Sequence, residues 1–297
     1  MNRDFSAANR IVVKVGTSAL TYETGKLNFY RIDRLARDLC DLKNRGKEVL
    51  LVSSGAIAAG VNRLHLPQKP DTVSGRQAMA CVGQSALMEL YNKCFADYGY
   101  NAGQFLLTKD VFDNAERKKN FQNTVEEMLK YNVIPVINEN DSISIEEIKF
   151  GDNDNLSSLV ARLVHADLLI LLSDIDGVYD KDPRSNADAR LIHTVEDLSA
   201  EIKCDKSAKP GALGTGGIYT KITACADAAR NGIDAVVANS KNMNVIYDFL
   251  EGKDVGPEFV GDKKNGRETI SGRIRRESES GGGVACQLSC GAAQRRP

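Results

Sequence analysis

Short runs of consecutive apolar residues recur along this chain, and longer segments with helical periodicity separate them. RIVVKV at Arg10–Val15 and DLLILL at Asp167–Leu172 lack polar alternation, which predicts strands buried on both faces. Phe29–Arg45 instead carries apolar residues at helical spacing and stops at Gly46. At least seven strands alternate with helices, so we predict an α/β fold: a three-layer αβα sandwich around an open, mostly parallel sheet.

The remaining predicted elements follow the same alternation. The predicted strands are Arg10–Val15, Glu48–Val52, Gly103–Leu107, Val133–Ile137, Asp167–Leu172, Arg190–Val195 as an edge strand, and Ala235–Ala238. The predicted helices are Phe29–Arg45, Gly75–Tyr98, a helix capped by Asp113 that runs through Tyr131, Asn155–Leu163, Tyr219–Asn231 and Asn244–Leu250. We predict one domain over residues 1–262.

Residues 263–297 differ in composition from the rest of the chain. They are rich in Gly, Ser and Arg and show no periodicity, which predicts a disordered tail. A weak contact between this basic tail and an acidic partner is the alternative.

Composition excludes several classes of protein. A net charge of −1 argues against a nucleic-acid-binding surface over the whole chain. No apolar run is as long as a membrane span, and MNRDFSAANR lacks the apolar core of a signal peptide. Seven scattered cysteines without a CxxC pair predict reduced thiols in the cytoplasm, and three histidines without paired spacing argue against a metal site.

Two polar clusters flank a short segment that can form a hairpin, ISIEEIKF at Ile143–Phe150. The first is Asn138–Asp141, after a predicted strand, and the second is Gly151–Asn155, before a predicted helix. Turn formation and helix capping explain either cluster alone. Two clusters in tandem at a strand end favour a ligand site, where carboxylates and amides bind an ammonium group and the helix start binds an anion.

Lys14 is the one charged residue in the first strand after Arg10, and the small residues Gly16, Thr17 and Ser18 follow it closely. A lysine of an edge strand that extends its side chain to water is one interpretation. We favour a cation directed at a ligand, because Gly16 allows the backbone to approach a phosphate. SSGAIAAG at Ser53–Gly60 predicts a helix that begins close to the same strand ends.

Two later segments have the composition of a nucleotide site. The predicted strand Asp167–Leu172 leads into a Ser/Asp/Gly loop that begins with Ser173 and Asp174. PGALGTGGIYTK at Pro210–Lys221 predicts a glycine-rich loop whose N–H groups bind phosphates while Lys221 neutralises them. This segment matches neither the P-loop nor the dinucleotide fingerprint, which disfavours a Rossmann dehydrogenase.

Taken together, six motifs resemble those of the glutamate 5-kinases within the amino acid kinase family. They cover roughly residues 10–260 and are KVGTS (Lys14–Ser18), SSGAIAAG (Ser53–Gly60), INENDS (Ile137–Ser142), FGDNDNLS (Phe150–Ser157), LSDIDGVYDKDPR (Leu172–Arg184) and GTGGIYTK (Gly214–Lys221). The resemblance implies the amino acid kinase fold and transfer of the γ-phosphoryl group of ATP to the γ-carboxylate of L-glutamate, the first step of proline biosynthesis. It also implies Mg²⁺ carried with ATP, proline as a candidate feedback inhibitor, and a homodimer or homotetramer.

The resemblance also implies roles for individual residues. Lys14 and Lys221 would be catalytic, with Asp154 orienting either these lysines or the substrate ammonium group. The implied glutamate-binding residues are Ser54, Asn138, Asp141, Asp152 and Asn153, and the implied ATP-binding residues are Lys14, Ser173, Asp174, Thr215, Gly216, Gly217, Ile218, Tyr219, Thr220 and Lys221. Many bacterial members carry a C-terminal PUA domain, and the tail after residue 262 is too short and too polar to form one.

The chemistry needs no general base, because a carboxylate nucleophile is already ionised at neutral pH. Catalysis must then come from positioning and positive charge, which agrees with the absence of histidine from the motifs. Two alternatives share the fold. One is a related kinase that acts on aspartate, acetylglutamate or a nucleotide, and the other is a sensor that binds nucleotide or amino acid without turnover.

Overall fold

A mostly parallel sheet forms the centre of the molecule. The computed structural model describes residues 5–144, 153–174, 178–179, 191–192, 194–195, 215–242 and 244–262, and for 178–195 and 215–219 it describes the backbone alone. In these residues the strands are β1 (Arg10–Val15), β2 (Glu48–Ser53), β3 (Asn101–Leu107), β4 (Val133–Glu139), β5 (Leu168–Ser173), β6 (Val178–Tyr179), β7 (Leu191–Ile192), β8 (Thr194–Val195), β9 (Asp234–Asn239) and β10 (Glu258–Phe259).

Helices connect most of the strands. They are α1 (Thr17–Leu20), α2 (Phe29–Asn44), α3 (Ala56–Arg63), α4 (Val73–Ala96), α5 (Ala115–Lys130), α6 (Asn153–Leu163), α7 (Thr215–Arg230) and α8 (Val245–Leu250), with a 3₁₀ turn at Lys109–Val111. In the described part of the chain, none of these helices combines the length and the apolarity that a bilayer crossing requires.

The described part of the main sheet has eight strands in the order β3, β4, β2, β1, β5, β9, β10, β8. All neighbours pair in parallel except β9 and β10, and β6 and β7 form a separate antiparallel pair. Strand β1 is central, because it pairs with β2 on one side and β5 on the other. The predicted open, mostly parallel α/β sheet is confirmed.

Helices cover both faces of the sheet, and each face has its own hydrophobic core. Successive residues of β1 alternate between them: Ile11, Val13 and Val15 belong to one core and Val12 to the other. The first core includes side chains of α2, α4 and α8, and the second includes side chains of α5, α6 and α7. This alternation is the expected pleat of a strand between two helical layers, and it confirms the αβα sandwich.

Two helices begin earlier than the sequence predicts, and both begin at the candidate site. Helix α6 starts at Asn153 rather than Asn155, and α7 starts at Thr215 rather than Tyr219. Glycines and Asn/Asp residues have low helix propensity, so local sequence favoured a loop in both places. The two helices contact each other across the site, where Thr220 and Lys221 of α7 bind Asp154 of α6.

Three further boundaries differ from prediction. Thr72 caps α4 by accepting a hydrogen bond from the Gly75 N–H, so this helix begins before Gly75. Asn114, not Asp113, caps α5 by accepting a hydrogen bond from the Arg117 N–H, while the Asp113 N–H donates back to the carbonyl oxygen of Asp110. The predicted edge strand 190–195 is two short strands, β7 and β8, which pair with different partners. The other predicted helix and strand ends agree with the structure to within two residues. The predicted hairpin at 143–150 lies largely outside the described residues, and the tail 263–297 lies wholly outside them.

Candidate active site

The carboxyl ends of neighbouring parallel strands bring most of the predicted site residues to one edge of the sheet. Lys14 lies near the end of β1, Ser54 directly follows β2, Asn138 is the penultimate residue of β4, and Ser173 ends β5. Open α/β sheets bind ligands at this edge. The start of α6 lies beside the ends of β2 and β4, because Asn153 donates hydrogen bonds to Ser54 and Asn138.

The first group at this edge is an ion cluster formed by Lys14, Asp154 and Lys221. The Lys14 Nζ lies 2.6 Å from Oδ1 of Asp154, and the Lys221 Nζ lies 3.1 Å from Oδ2. Thr220 donates its hydroxyl to Oδ2 at 2.8 Å. One carboxylate at the start of α6 therefore joins a cation from the central strand to a cation from α7.

The position of Lys14 decides between the two interpretations of its charge. It lies on the central strand, opposite Val52 of β2 and Leu171 of β5, and only 3% of the residue is exposed. The interpretation as an edge-strand lysine that reaches water is wrong. A buried ammonium group needs a compensating anion, and Asp154, 1% exposed, provides one.

The electrostatics of Asp154 follow from its two cationic neighbours. Burial by itself would raise the pKa of the carboxyl group, but the charges of Lys14 and Lys221 outweigh burial and hold that pKa below its usual value. The contact between Oδ1 and Lys14, at 2.6 Å, is a close ion pair. Asp154 is therefore an anion at neutral pH.

The second group is a network of amides and hydroxyls, here called the amide network, formed by Gln84, Asn138, Asn153 and Ser54. The Nδ2 of Asn153 donates to Oδ1 of Asn138 at 2.8 Å and to Oγ of Ser54 at 2.9 Å. The Nδ2 of Asn138 donates to Oε1 of Gln84 at 3.0 Å. The two groups adjoin, because Asn153 directly precedes Asp154 on α6.

Asp141 lies just beyond β4 and is 5% exposed. Burial raises its pKa to about 7, the nearby Glu139 contributes to the increase, and Lys69 opposes it. Its Oδ1 is buried and has no hydrogen-bond partner among the described residues. Such a carboxylate suits a cation that arrives with a ligand.

The predicted nucleotide-binding residues lie around the end of β5 and the start of α7. Ser173 is 2% exposed, and its hydroxyl contacts Oδ1 of Asp174 at 3.4 Å. The stretch from Thr215 through Gly216, Gly217, Ile218 and Tyr219 forms the first turns of α7 rather than a loop, and its backbone N–H groups are those of a helix start. Asp152 lies outside the described residues.

One residue of the amide network, Gln84, is missing from the sequence-based prediction. It lies on α4, 7% exposed, among buried neighbours such as Ala80, Leu87 and Tyr91. A glutamine in the apolar stripe of a long helix is the signal that could have identified it, because buried amides require partners.

A model of the amino acid kinase family matches residues 9–239, which is most of the chain. The chain belongs to the amino acid kinase family. This match contains both lysines, Asp154 and the amide network.

Its relatives agree with this membership. A glutamate 5-kinase of Clostridium perfringens is 49% identical over 267 residues, which cover 89% of this chain and 99% of the relative. A glutamate 5-kinase of Clostridium acetobutylicum is 48% identical over 255 residues, which cover 86% and 96%. The crystal structure of the T. acidophilum isopentenyl phosphate kinase product complex has a TM-score of 0.56 at 17% identity and covers 84% of this chain and 100% of that chain, which shows a shared fold.

Proposed function

We infer that this amino acid kinase transfers the γ-phosphoryl group of ATP to the γ-carboxylate of L-glutamate, giving ADP and L-glutamyl 5-phosphate. This reaction is the first step of proline biosynthesis. The observation that carries the inference is that one buried carboxylate holds two lysines beside a neutral amide network, in a chain that is 49% identical to a glutamate 5-kinase. The cations suit the transferred phosphoryl group, and the amides suit the amino acid.

The nucleophile in this reaction is already charged. The γ-carboxylate of glutamate, with a pKa of about 4.3, is ionised at neutral pH, so no side chain has to remove a proton. Its attack on the γ-phosphorus breaks the bond to the β,γ-bridging oxygen, and the electron pair leaves with ADP. Because two anions must meet, catalysis requires positive charge and alignment rather than acid–base chemistry.

Lys14 and Lys221 supply that charge in our proposal. Asp154 contacts both Nζ groups, so it sets their separation and directs them to one place. As the phosphoryl group moves from ADP to the carboxylate, the two ammonium groups stay in place and stabilise its negative charge without reorganising. Asp154 is a positioning residue here, because it acts through the lysines.

We propose that ATP binds as its magnesium complex, over the end of β5 and the start of α7. Ser173, Asp174 and the segment from Thr215 to Lys221 would bind it. Among the described residues, no group of three His, Cys, Asp or Glu side chains is placed to hold a metal ion. In our proposal Mg²⁺ enters on the nucleotide phosphates, where it offsets their charge.

We propose that the amino acid binds on the other side of the lysines, over β2 and β4. Ser54, Asn138, Asn153 and Asp141 would contact it, together with Asp152, which lies outside the described residues. The buried Oδ1 atoms of Asp141 and Asn153 lack partners among the described residues and can accept N–H bonds from the substrate ammonium.

Four further expectations stay predictions. They are inhibition by proline, assembly as a homodimer or homotetramer, a cytoplasmic location and the one-domain limit at residue 262.

The experiment is ATP consumption with L-glutamate and hydroxylamine, which traps the acyl phosphate as a hydroxamate. We expect ADP release that depends on glutamate, with one hydroxamate formed for each ADP. The same assay with aspartate, acetylglutamate and uridylate tests the related kinases. Binding of ATP without glutamate-dependent ADP release would contradict the proposal and favour a sensor.

A further inference from the structure

The amide network has a fixed direction, because backbone groups determine how its amides are turned. The backbone N–H of Glu139 donates to Oδ1 of Asn138 at 2.9 Å, so this atom must be the oxygen. The backbone carbonyl of Ser53 lies 3.3 Å from Nδ2 of Asn153, so this atom must be the nitrogen. A backbone N–H only donates and a carbonyl only accepts, so neither amide can be flipped.

The orientation of Gln84 follows from these two anchors. Asn138 presents its oxygen to Glu139 and to Asn153, and it therefore presents its NH₂ group to Gln84. Gln84 must meet that donor with its oxygen, Oε1. The NH₂ group of Gln84 consequently points away from the other amides. It is the end of the amide network at which a donor has no partner, here called the open end.

This open end is buried. Only 7% of Gln84 is exposed, and its Nε2 has no hydrogen-bond partner among the described residues. A buried donor without a partner costs about 1–3 kcal/mol, so native proteins seldom keep one without a reason. The two N–H bonds of this group need an acceptor from outside the described residues.

The backbone around Gln84 is held firmly in place. Gly83 packs so closely on α3 that an added Cβ would lie 1.8 Å from the carbonyl oxygen of Ala56. Gly60 packs in the reverse direction, because a Cβ added there would lie 2.0 Å from the carbonyl oxygen of Met79. These two close contacts fix α4 against the helix that follows Ser54, so Gln84 and Ser54 keep a constant separation.

We propose that Gln84 binds the α-carboxylate of L-glutamate, with Nε2 donating to one carboxylate oxygen. The proposal rests on the proposed function. The γ-carboxylate must lie at Lys14 and Lys221 to receive the phosphoryl group, whereas Gln84 is separated from them by Asn138 and Asn153. The acceptor at that far end is then the other carboxylate of the substrate. A neutral amide donor recognises this group without competing with the lysines for the phosphoryl group.

The test compares Gln84→Glu and Gln84→Met with the wild type. Gln84→Glu keeps an acceptor for Asn138 and replaces the open donor by a second oxygen, while Gln84→Met removes both. For each protein we measure KM for L-glutamate and for ATP, and the dissociation constant of L-glutamate by calorimetry. We expect KM and Kd for L-glutamate to rise about 10- to 100-fold, more for Gln84→Glu, and KM for ATP to change less than about twofold.

A substrate analogue separates binding from a structural effect. 4-Aminobutyrate keeps the γ-carboxylate and the amino group but lacks the α-carboxylate, so it cannot use Gln84. We expect it to inhibit the wild type weakly or not at all, and any inhibition constant to change less than about threefold in either variant. Gln122→Glu is the matched control. Gln122 is a half-buried helix glutamine that donates to the carbonyl oxygen of Leu163, and neither residue belongs to the amide network.

The outcomes are distinct. An unchanged KM and Kd for L-glutamate in both Gln84 variants would overturn the proposal, as would equal losses for L-glutamate and ATP or tight binding of 4-aminobutyrate by the wild type. Urea unfolding identifies a variant that fails to fold, and the other variant then decides. If the wild type binds L-glutamate through Gln84 but releases no ADP, the proposed function is wrong while this contact stands.

Discussion

The ion cluster and the amide network adjoin each other on α6, yet they differ in whether their buried polar atoms have partners within the protein. Each carboxylate oxygen of Asp154 has a lysine as its neighbour. In the amide network, the Nε2 of Gln84 and the Oδ1 of Asn153 have no partner among the described residues. One region compensates its charges internally, and the other leaves donors and acceptors open.

The costs of burial explain this difference. An unpaired amide group costs about 1–3 kcal/mol when it is buried, and substrate binding can recover that amount. An unpaired buried charge costs several times more, so the lysines would need a counter-ion between turnovers. The structure accordingly pairs both buried lysines with Asp154 and leaves the unpaired buried atoms on the neutral amide side.

The largest expected effect comes from breaking the ion cluster at its central lysine. In Lys14→Met, we expect kcat to fall about 10²- to 10³-fold, because a fixed positive charge no longer meets the phosphoryl group. KM for L-glutamate should stay within about threefold, since the amide network is intact. Coupled ADP release measures both constants.

Lys130→Met is the control for this change, because Lys130 forms an exposed ion pair with Glu127 and should leave turnover unchanged. Near-normal turnover in Lys14→Met would show that Lys14 has no catalytic role.

The next effect concerns the stability that Asp154 provides. In Asp154→Asn, the two buried ammonium groups lose their counter-ion, and we expect the free energy of unfolding to fall by about 3–5 kcal/mol. Urea unfolding at neutral pH measures this loss. Glu127→Gln removes one partner of an exposed pair and should cost less than about 1 kcal/mol. Equal losses of unfolding free energy in the two variants would mean that the ion cluster stabilises the fold no more than an exposed surface pair does.

The pH dependence of that stability has a definite sign. The pKa of Asp154 in the folded protein lies below its usual value of 3.8. Its contribution is therefore complete above about pH 5 and is lost as pH falls below about 4 through the folded pKa. We expect the difference in unfolding free energy between the wild type and Asp154→Asn to be constant above about pH 5 and to narrow in acid. A difference that grew in acid would contradict this assignment.

Asp141 should make glutamate binding depend on pH near neutrality. Burial, with Glu139 nearby and Lys69 opposing, raises its pKa to about 7, and only the ionised form attracts the substrate ammonium. From the ionised fraction, we expect the wild-type KM for L-glutamate to fall about tenfold between pH 6 and pH 8.

Asp141→Asn tests the source of this dependence. We expect a high KM for L-glutamate that no longer changes with pH, while KM for ATP stays near that of the wild type. A persistent pH dependence in the variant would assign the titration to another group, and equal increases of both KM values would remove Asp141 from the amino acid site.

The smallest expected effect lies behind the amide network, at Tyr91. The Ser53 hydroxyl donates to the carbonyl oxygen of Ser54, so the Tyr91 hydroxyl, 2.8 Å away, donates to Ser53. Tyr91→Phe loses this buried hydrogen bond, and we expect the free energy of unfolding to fall by about 1 kcal/mol with KM for L-glutamate within about twofold. Thermal or urea unfolding measures the loss, and a large KM change would extend the substrate site to this layer.

Local sequence predicted those features of the structure that depend only on the residue pattern within one strand or helix. The buried strands and the αβα layers could be predicted, because apolar runs are short-range patterns. The polar residues that follow those runs made Lys14, Asn138 and Asn153 candidates, and their roles stay predictions. Helix starts at the site were less predictable. Asn153 and Thr215 already lie in their helices, earlier than local propensity favours.

By itself, the sequence determined which chemical groups gather at the carboxyl edge of the sheet, because the order of strands and polar loops is written along the chain. Only the tertiary structure decided how those groups pair. It placed Lys14 and Lys221 on one carboxylate although 207 positions separate them, and it left the Nε2 of Gln84 buried without a hydrogen-bond partner among the described residues. Both outcomes depend on contacts between distant segments and on the requirement that buried charges and amides find partners, and no local pattern of residues records them.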